Sequence, residues 1–243
     1  MLLTAGERRA RLSDARLLLV FTPDLAAGDP LEALECALAA VDVVQVRPKP
    51  LGDRRADAVA RATVTEARAA HMWSRRVLDL CRGLSRDDRP LIFVNDRVDV
   101  AVALAEEGLD GVHVGADDTP ASVARRALGN DLLLGLSTHT VGDVAATWDE
   151  PVDLLGYGPV FPTPTKGYGA PGAAVHAPRV VGPESAWVAS ESATVPLFPI
   201  GGIDLSNAGQ LDRVGRAAVG SSILGAHEPA AAARALRALL SEG

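Results

Sequence analysis

Cysteines, aromatic residues and basic charge are all scarce in this chain of 243 residues. Cys36 and Cys81 are the only cysteines, and both fall in segments with helical spacing. Two isolated cysteines argue against a disulfide framework or a metal cluster and favour buried free thiols in a reducing compartment. Aromatic residues make up only 4% of the chain. Together with abundant Ala, Leu and Val, this composition is typical of an α/β protein.

The formal net charge is −7, so the chain lacks the basic stripe that nucleic-acid backbones require. A small anion can still bind if a few cations gather in one pocket. Long apolar runs are also missing, and the first run, Leu17–Phe21, is too short for a signal-peptide core or a membrane span. We therefore expect a cytoplasmic protein without nucleic-acid or membrane partners. The oligomeric state stays open, a homo-oligomer included.

Eight short apolar runs alternate with segments of helical spacing, which favours a parallel sheet covered by helices. Eight such units in about 240 residues match a single (β/α)8 TIM barrel that spans residues 1–243. A doubly wound sheet usually has a glycine-rich turn after its first strand, whereas this chain has Thr22-Pro23-Asp24 there. The expected strands are Leu17–Phe21, Val41–Val46, Leu91–Val94, Gly111–Gly115, Leu132–Leu136, 154–161, Leu197–Ile200 and Ala217–Val219.

The expected helices lie between these strands. The region at about 51–86 is longer than a barrel unit needs, and we expect it to add helix to the barrel exterior, either as one helix or as two that are broken near His71-Met72-Trp73. The other expected helices are Leu31–Ala40, Val98–Glu107, Ala121–Leu128, Gly142–Trp148, Glu184–Ser190, Asn207–Leu211 and Ala230–Leu240.

Two carboxylates, Asp96 and Asp118, directly follow neighbouring expected strands. Because parallel strands end at the same edge of a barrel, these side chains can converge, and they repel each other unless a cation lies between them. Mg²⁺ is the expected cation, since it is usually held by one or two carboxylates plus substrate phosphates. Each acid also has an ordinary interpretation, as turn chemistry for Asn95-Asp96 and as a helix cap for Asp118.

Further polar side chains follow the other strands. Gln45, Arg47 and Lys49 alternate along the second strand and can share one face. With Lys166, in the loop after the sixth strand, the mouth holds three cations and two carboxylates, which predicts a pyrophosphate with Mg²⁺. Arg47 can clamp two phosphate oxygens at once, while the lysines act as point charges.

Gly201-Gly202 and Ser221-Ser222 follow the seventh and eighth strands. Glycine lets a backbone approach a phosphate closely, and these two loops often bind phosphate in barrels. A monophosphate site beside a pyrophosphate site implies two substrates. Each feature alone also fits a solvated strand end or a stiff loop, but their joint placement after successive strands favours function.

The motifs form a recognisable set: Gln45-Val-Arg47-Pro-Lys49, Asn95-Asp96, Gly111-Val-His-Val-Gly-Ala-Asp-Asp118, Gly135-Leu-Ser137-Thr-His-Thr, Gly156-Tyr-Gly-Pro-Val-Phe-Pro-Thr163-Pro-Thr165-Lys166 and Gly201-Gly202-Ile. With them the chain resembles the thiamine-phosphate synthase family, barrel enzymes that join the two halves of thiamine. The resemblance runs from the second strand to the last. Its most specific part is Gly-Pro-Val-Phe-Pro-Thr-x-Thr-Lys, and its least specific part is Gly-Gly-Ile.

The resemblance implies an Mg²⁺-dependent transferase that joins hydroxymethylpyrimidine diphosphate and thiazole phosphate and releases pyrophosphate. Ser137 would hydrogen-bond the departing pyrophosphate, and the implied catalytic residues are Ser137, Lys166 and Arg47. The implied ligands of the pyrimidine diphosphate are Gln45, Arg47, Lys49, Asn95 and Lys166, and those of the metal are Asp96 and Asp118. The implied ligands of the thiazole phosphate are Thr163, Thr165, Gly202, and the amides near Ser221 and Ser222.

The chain departs from the family pattern at four places. Ala116 stands where the family usually has a polar residue, the segment between Lys49 and Asn95 is longer than usual, and residues 175–191 follow the pattern poorly. The last strand is followed by a more polar run, 220–223, than the family has. These departures leave the activity and the amide assignments as expectations.

Two alternative functions stay open. A related thiazole tautomerase uses the same barrel, and a histidine at the position of His139 would move its proton. That isomerase has no need of the pyrophosphate ligands, so Arg47 and the Thr-x-Thr-Lys loop favour the synthase. The second alternative is a non-catalytic binder of thiamine phosphates, which the departure at Ala116 leaves open.

Overall fold

Eight parallel strands form a nearly closed barrel in the computed structural model, which describes residues 2–48, 59–163 and 179–240, with the side chains of 59–65 excepted. The strand order is β7-β6-β5-β4-β3-β2-β1-β8, and a parallel bridge between Ile200 and Ala218 joins the two ends of the sheet. The TIM-barrel prediction is confirmed. The strands are β1 Leu17–Phe21, β2 Val43–Val46, β3 Leu91–Asn95, β4 Gly111–Val114, β5 Leu133–Thr138, β6 Leu154–Tyr157, β7 Leu197–Pro199 and β8 Ala217–Val219.

Helices surround the barrel and connect its strands. Several begin with proline in the first turn, which suits that position because its backbone needs no amide hydrogen there. The helices are α1 Ala5–Asp14, α2 Pro30–Ala37, α3 Val59–Cys81, α4 Val98–Leu104, α5 Ala121–Leu128, α6 Val141–Ala146, α7 Pro183–Ser192, α8 Ser221–Leu224 and α9 Pro229–Leu239. No helix within the described residues is long and apolar enough to cross a membrane.

The apolar residues divide into two cores, because successive side chains of a strand point to opposite faces. In β1, Leu18 and Val20 belong to the core inside the barrel, while Leu17, Leu19 and Phe21 pack outward against the helices. Both faces of the strand are therefore buried, and this explains why β1 reads as one continuous apolar run.

The N-terminal helix α1 was missed by the sequence analysis. Thr4 begins it with a capping box, in which the Thr4 side chain accepts from the backbone of Glu7 and the Glu7 carboxylate accepts from the backbone of Thr4. Leu3, Leu12 and Ala15 are buried in the same core as the inward side chains of the strands. The helix therefore covers the end of the barrel at which the strands begin.

The structure decides one open alternative and corrects two further expectations. The long helical region is one continuous helix over its described part, Val59–Cys81, without a break near His71. The segment after β8 forms a short helix, Ser221–Leu224. Both cysteines are free, but only Cys81 is buried, whereas Cys36 is exposed. A helix such as α2 has an outer face, and helical spacing alone did not show which face carried Cys36.

Candidate active site

A cavity of about 1050 Å³, its open mouth included, lies at the end of the barrel where the strands finish. Its floor is apolar and consists of Leu18, Val20, Leu154, Phe198, Ile200 and Ala218. Seven of the predicted site residues line it: Gln45, Arg47, Asn95, Ser137, Thr163, Gly202 and Ser221. The predicted convergence on one mouth agrees with the placement of these seven residues, six of which have polar side chains.

Gln45 and Asn95 form one polar pair at this mouth. The Gln45 Nε2 atom donates a hydrogen bond of 2.6 Å to Asn95 Oδ1. The bond orients both amides, so Gln45 keeps its carbonyl oxygen as an acceptor and Asn95 keeps its amino group as a donor. Arg47 follows two residues after Gln45 and lines the same cavity. Its backbone N–H donates to Phe21 O at 2.8 Å, which continues the pairing of β1 with β2 by one step.

His113 and Ser137 form a second polar pair, with 3.0 Å between His113 Nε2 and Ser137 Oγ. Glycines on the next two strands make room for the imidazole. A Cβ at Gly135 would lie 2.4 Å from His113 Nδ1, and one at Gly156 would lie 3.2 Å from Cε1. No role was predicted for His113 from the sequence. The feature of the sequence that could have indicated this buried histidine is the pair of glycines at inward positions of β5 and β6.

His139 also lines the cavity, and its loop is held firmly. Its Nδ1 lies 2.5 Å from Gly158 O. The backbone N–H groups of His139 and Thr140 both donate to Asp143 Oδ2 at 2.9 Å. Burial alone would raise the pKa of Asp143, but these hydrogen bonds outweigh it and hold the pKa below its usual value. Asp143 is thus charged at neutral pH and anchors the turn that carries His139.

Asp96 and Asp118 follow neighbouring strands, as the sequence predicts. Asp96 has a φ of 63°, and its backbone N–H donates to His113 O at 2.7 Å. One Asp118 oxygen accepts from the N–H of Gly115 at 2.9 Å. Neither acid lines the cavity itself, although Asn95, the neighbour of Asp96, does. No cluster of three or more His, Cys, Asp or Glu residues that could hold a metal occurs in the described part of the chain.

The Gly-Gly turn packs tightly against the loop after β6. The φ angles of Gly201 and Gly202 are 102° and 63°, in the left-handed region that favours glycine. A Cβ at Gly202 would lie 2.3 Å from Pro162 O, and one at Gly201 would lie 2.7 Å from the Cβ of Pro159. Glycine is therefore required here for packing between two loops, whether or not a phosphate also binds.

The other residues that were predicted to contact a phosphate differ in whether they line the cavity. Thr163 and Ser221 line the cavity. Ser222 does not line it, and its hydroxyl is buried without a hydrogen-bond partner among the described residues. Lys49, Thr165 and Lys166 fall outside the described residues. Within the described part, Arg47 is the one Lys or Arg residue that lines the cavity.

Comparison with known proteins identifies relatives along the whole barrel. The family model described as thiamine monophosphate synthase matches residues 17–223. The chain is 36% identical to a thiamine-phosphate synthase of Acidothermus cellulolyticus, over 96% of this chain and 98% of the relative. It is 40% identical to a thiamine-phosphate synthase of Chloroflexus aurantiacus, over 75% of this chain and 82% of the relative.

A solved structure with the same fold is a thiamine phosphate pyrophosphorylase from Pyrococcus furiosus. It is 27% identical, has a TM-score of 0.71, and matches over 96% of this chain and 98% of its own. A 3-hexulose-6-phosphate synthase, 16% identical with a TM-score of 0.59, shares the fold alone. The relatives confirm the prediction of a transferase. On these matches, the chain belongs to the thiamine monophosphate synthase family.

Proposed function

We propose that the chain joins hydroxymethylpyrimidine diphosphate and thiazole phosphate to give thiamine phosphate and pyrophosphate. The observation that carries the proposal is the pairing of polar side chains above one apolar floor. Gln45–Asn95 and His113–Ser137 are each hydrogen-bonded between neighbouring strands, β2 with β3 and β4 with β5, and all four residues line the same cavity. Such a cavity suits two flat rings below and their phosphates above.

The pyrophosphate end of the site is assigned to the mouth beside β2, β3 and β5. Arg47 would clamp two phosphate oxygens, which is the geometry that guanidinium provides. Asn95 would donate from the amide group that its bond with Gln45 leaves available. Ser137 would donate a hydrogen bond from its hydroxyl to the departing pyrophosphate, which requires His113 Nε2 to act as the donor in the bond between His113 and Ser137. Lys49 and Lys166 are proposed to add point charges at the same end.

Mg²⁺ is the proposed metal, with Asp96 and Asp118 as its protein ligands. The donor set fits this ion, because Mg²⁺ prefers oxygen ligands and is usually held by one or two carboxylates together with substrate phosphates. A cluster of three acids is therefore not needed. When bound, Mg²⁺ would neutralise charge on the pyrophosphate and make it a better leaving group.

The thiazole phosphate is assigned to the opposite side of the mouth. Thr163, Gly202 and Ser221 line the cavity there, with Thr165 and the amide of Ser222 as further proposed contacts. The Gly202 backbone is fixed by Asn207, whose Nδ2 donates to Gly202 O at 2.8 Å. A fixed backbone can present its amide to a phosphate without first paying the entropy of becoming ordered.

The chemistry needs positioning more than proton transfer. Loss of pyrophosphate leaves a methylene cation that the electron-rich aminopyrimidine can stabilise. The thiazole nitrogen carries no proton, so it attacks without a general base. The residues of this chain would hold the two rings in contact and stabilise the charge that develops on the pyrophosphate. The apolar floor would keep water from capturing the cation.

A thiazole tautomerase is the second candidate, because His139 lines the same cavity. Proton transfer by this imidazole would have to use Nε2, since Nδ1 lies 2.5 Å from Gly158 O. That reaction does not need the Gln45–Asn95 pair or Arg47, because it involves no pyrophosphate. A non-catalytic binder of thiamine phosphate is the third candidate and would use the same contacts without turnover.

One assay distinguishes the three candidates. The purified protein is given both substrates and Mg²⁺, and release of pyrophosphate and formation of thiamine phosphate are followed together. A synthase yields the two products in equal amounts. Isomerisation of the thiazole phosphate without pyrophosphate release identifies a tautomerase. Tight binding of thiamine phosphate with no product at any Mg²⁺ concentration identifies a binder, and either of the last two results refutes the proposal.

A further inference from the structure

Thr22 directly follows β1, and the local backbone does not explain why its side chain carries a hydroxyl. It precedes a 3-10 turn, Pro23–Leu25, at a position where threonine usually caps the turn with its hydroxyl. Here the side chain makes no cap bond, and the turn is closed by backbone alone, with Leu25 N donating to Thr22 O at 2.9 Å. The hydroxyl is therefore available for something else.

The side chain of Thr22 lines the cavity instead. It continues the inward series of Leu18 and Val20 along β1, which places it just above the apolar floor. The residue is only 1% exposed, and its Oγ1 atom has no hydrogen-bond partner among the described residues. A buried hydroxyl without a partner destabilises the folded protein. A hydroxyl at this position is therefore a cost unless a ligand supplies the partner.

Two pairs of polar side chains that line the cavity are already hydrogen-bonded within the protein. Gln45 bonds to Asn95, and His113 bonds to Ser137. Both pairs face the side assigned to the pyrophosphate. Thr22 directly follows β1, which lies between β2 and β8, and it is thus placed between the pyrophosphate side and the side assigned to the thiazole phosphate. A ring that links to the pyrophosphate would pass over this position.

We propose that the Thr22 hydroxyl binds the amino edge of the aminopyrimidine ring and selects that ring. A hydroxyl both donates and accepts, and an aminopyrimidine offers an N–H donor beside a ring-nitrogen acceptor. The thiazole ring has no N–H, and its nitrogen must keep its lone pair for the attack, so a donor there would slow the reaction. This inference rests on the proposed function.

The test compares Thr22→Val, which replaces the hydroxyl with a methyl group, and Thr22→Ser, which keeps the hydroxyl. Calorimetry measures the Kd of hydroxymethylpyrimidine diphosphate with Mg²⁺, the Kd of inorganic pyrophosphate with Mg²⁺, and the Kd of thiazole phosphate. Because pyrophosphate lacks the ring, the ratio of the first two constants isolates the contribution of the ring. Thermal unfolding of the ligand-free variants reports on the fold.

In Thr22→Val, we expect affinity for the pyrimidine diphosphate to fall by roughly tenfold, the scale of one lost hydrogen bond. The constants for pyrophosphate and thiazole phosphate should stay within about twofold, since neither contact changes. The ligand-free protein should melt at the same temperature or higher, because an unpaired hydroxyl has been removed. Thr22→Ser should bind the pyrimidine diphosphate nearly as the unaltered chain does.

Three results would overturn the assignment: unchanged ring affinity in Thr22→Val, equal losses for all three ligands, or a lower melting temperature that shows the hydroxyl to be structural. These measurements need no turnover. A protein that binds the ring through Thr22 but forms no thiamine phosphate refutes the proposed function alone. A protein that forms thiamine phosphate with Thr22→Val unaltered in binding refutes the Thr22 assignment alone.

Discussion

Apolar and polar residues alternate along β2 and into Arg47, which directly follows it, and this alternation determines where the proposed anion-binding groups lie. Val44 and Val46 belong to the core between barrel and helices, whereas Gln45 and Arg47 line the cavity. A shift of register by one residue would exchange the two sets and bury the guanidinium against helices. The alternation is visible in the sequence, so this part of the site could be predicted from it.

Asp96 provides the sharpest test of the proposed metal at the residue scale. Asp96→Asn removes the charge but keeps the shape, and asparagine tolerates the left-handed backbone that Asp96 adopts at φ 63°. The fold should therefore persist. The Mg²⁺ concentration for half-maximal activity should rise by more than about tenfold, since even groups that only support a metal ligand contribute that much.

Asp117→Asn is the matched control for this variant. Asp117 is an exposed acid beside Asp118 on the loop after β4, so its replacement removes the same charge near the same mouth. Its Mg²⁺ requirement should stay close to that of the unaltered chain. Equal rises in both variants would mean that the general charge of the mouth, and not ligation by Asp96, sets the requirement.

Other site residues could not be read from their own neighbourhood in the sequence. His113 contacts Ser137, which lies 24 positions later, and its space depends on glycines in β5 and β6. Thr22 sits in a Thr-Pro-Asp run that looks like ordinary turn chemistry. Its buried hydroxyl becomes evident only when the opposite strands close the cavity around it. The surroundings of both residues therefore depend on packing between segments that are far apart in the sequence.

At the scale of elements, three aspartates make the same kind of contacts at the starts of the strands. Asp42, Asp110 and Asp153 each stand directly before a strand, at β2, β4 and β6. Each accepts a backbone N–H at the start of a neighbouring strand, from Leu17, Ile92 and Leu134 respectively. Each also pairs with arginine, Asp42 with Arg237, Asp110 with Arg8 and Arg89, and Asp153 with Arg9 and Arg125. The acids thus join the barrel to its helices and loops.

Asp110→Asn tests how much these contacts stabilise the barrel. Asp110 is fully buried and accepts hydrogen bonds from Arg8 Nε at 2.9 Å and from Arg89 Nη2 at 2.8 Å. Asparagine would leave both guanidinium groups short of a counter-charge in a buried site. The free energy of unfolding should fall by about 3–5 kcal/mol, the usual result of removing one partner of a buried ion pair. Urea unfolding would measure it.

An exposed ion pair provides the control for this measurement. Glu191 pairs with Arg213 at 3.3 Å, and their side chains are 70% and 59% exposed. Glu191→Gln should change the free energy of unfolding by less than about 1 kcal/mol, because water already screens the pair. If the two variants unfolded at the same urea concentration, the buried aspartates would not be what anchors the strand starts.

Elements with a clear apolar run or a clear helical spacing of apolar residues were predicted well. Elements that depend on contacts with distant parts of the chain, or that are very short, were not. The expected bounds of β1, α5 and β8 match the structure. Helix α1 was missed because its many charged residues obscure a narrow apolar face. Two of its arginines, Arg8 and Arg9, pair with acids that directly precede strands. Helix α8 is a single turn, too short for any periodic signal.

At the scale of the whole molecule, the two ends of the barrel have separate tasks. The end where the strands finish holds the cavity, and the other end is covered by α1. In barrels of this fold, residues at the end where the strands finish usually serve catalysis, and residues at the end where the strands begin usually serve stability. A substitution that weakens the α1 end should therefore lower stability without changing how substrates bind.

Leu12→Ala tests this separation. Leu12 is 2% exposed and packs into the core inside the barrel, so its truncation should cost about 2–5 kcal/mol. Tm should fall by several degrees, since 1 kcal/mol shifts Tm by roughly 2–4 °C in a chain of this size. Measured well below that Tm, kcat and both KM values should match the unaltered protein. Leu2→Ala is the control, because Leu2 is 46% exposed and its loss should hardly move Tm. A raised KM in Leu12→Ala at low temperature would show that the covered end and the active mouth are coupled through the barrel core.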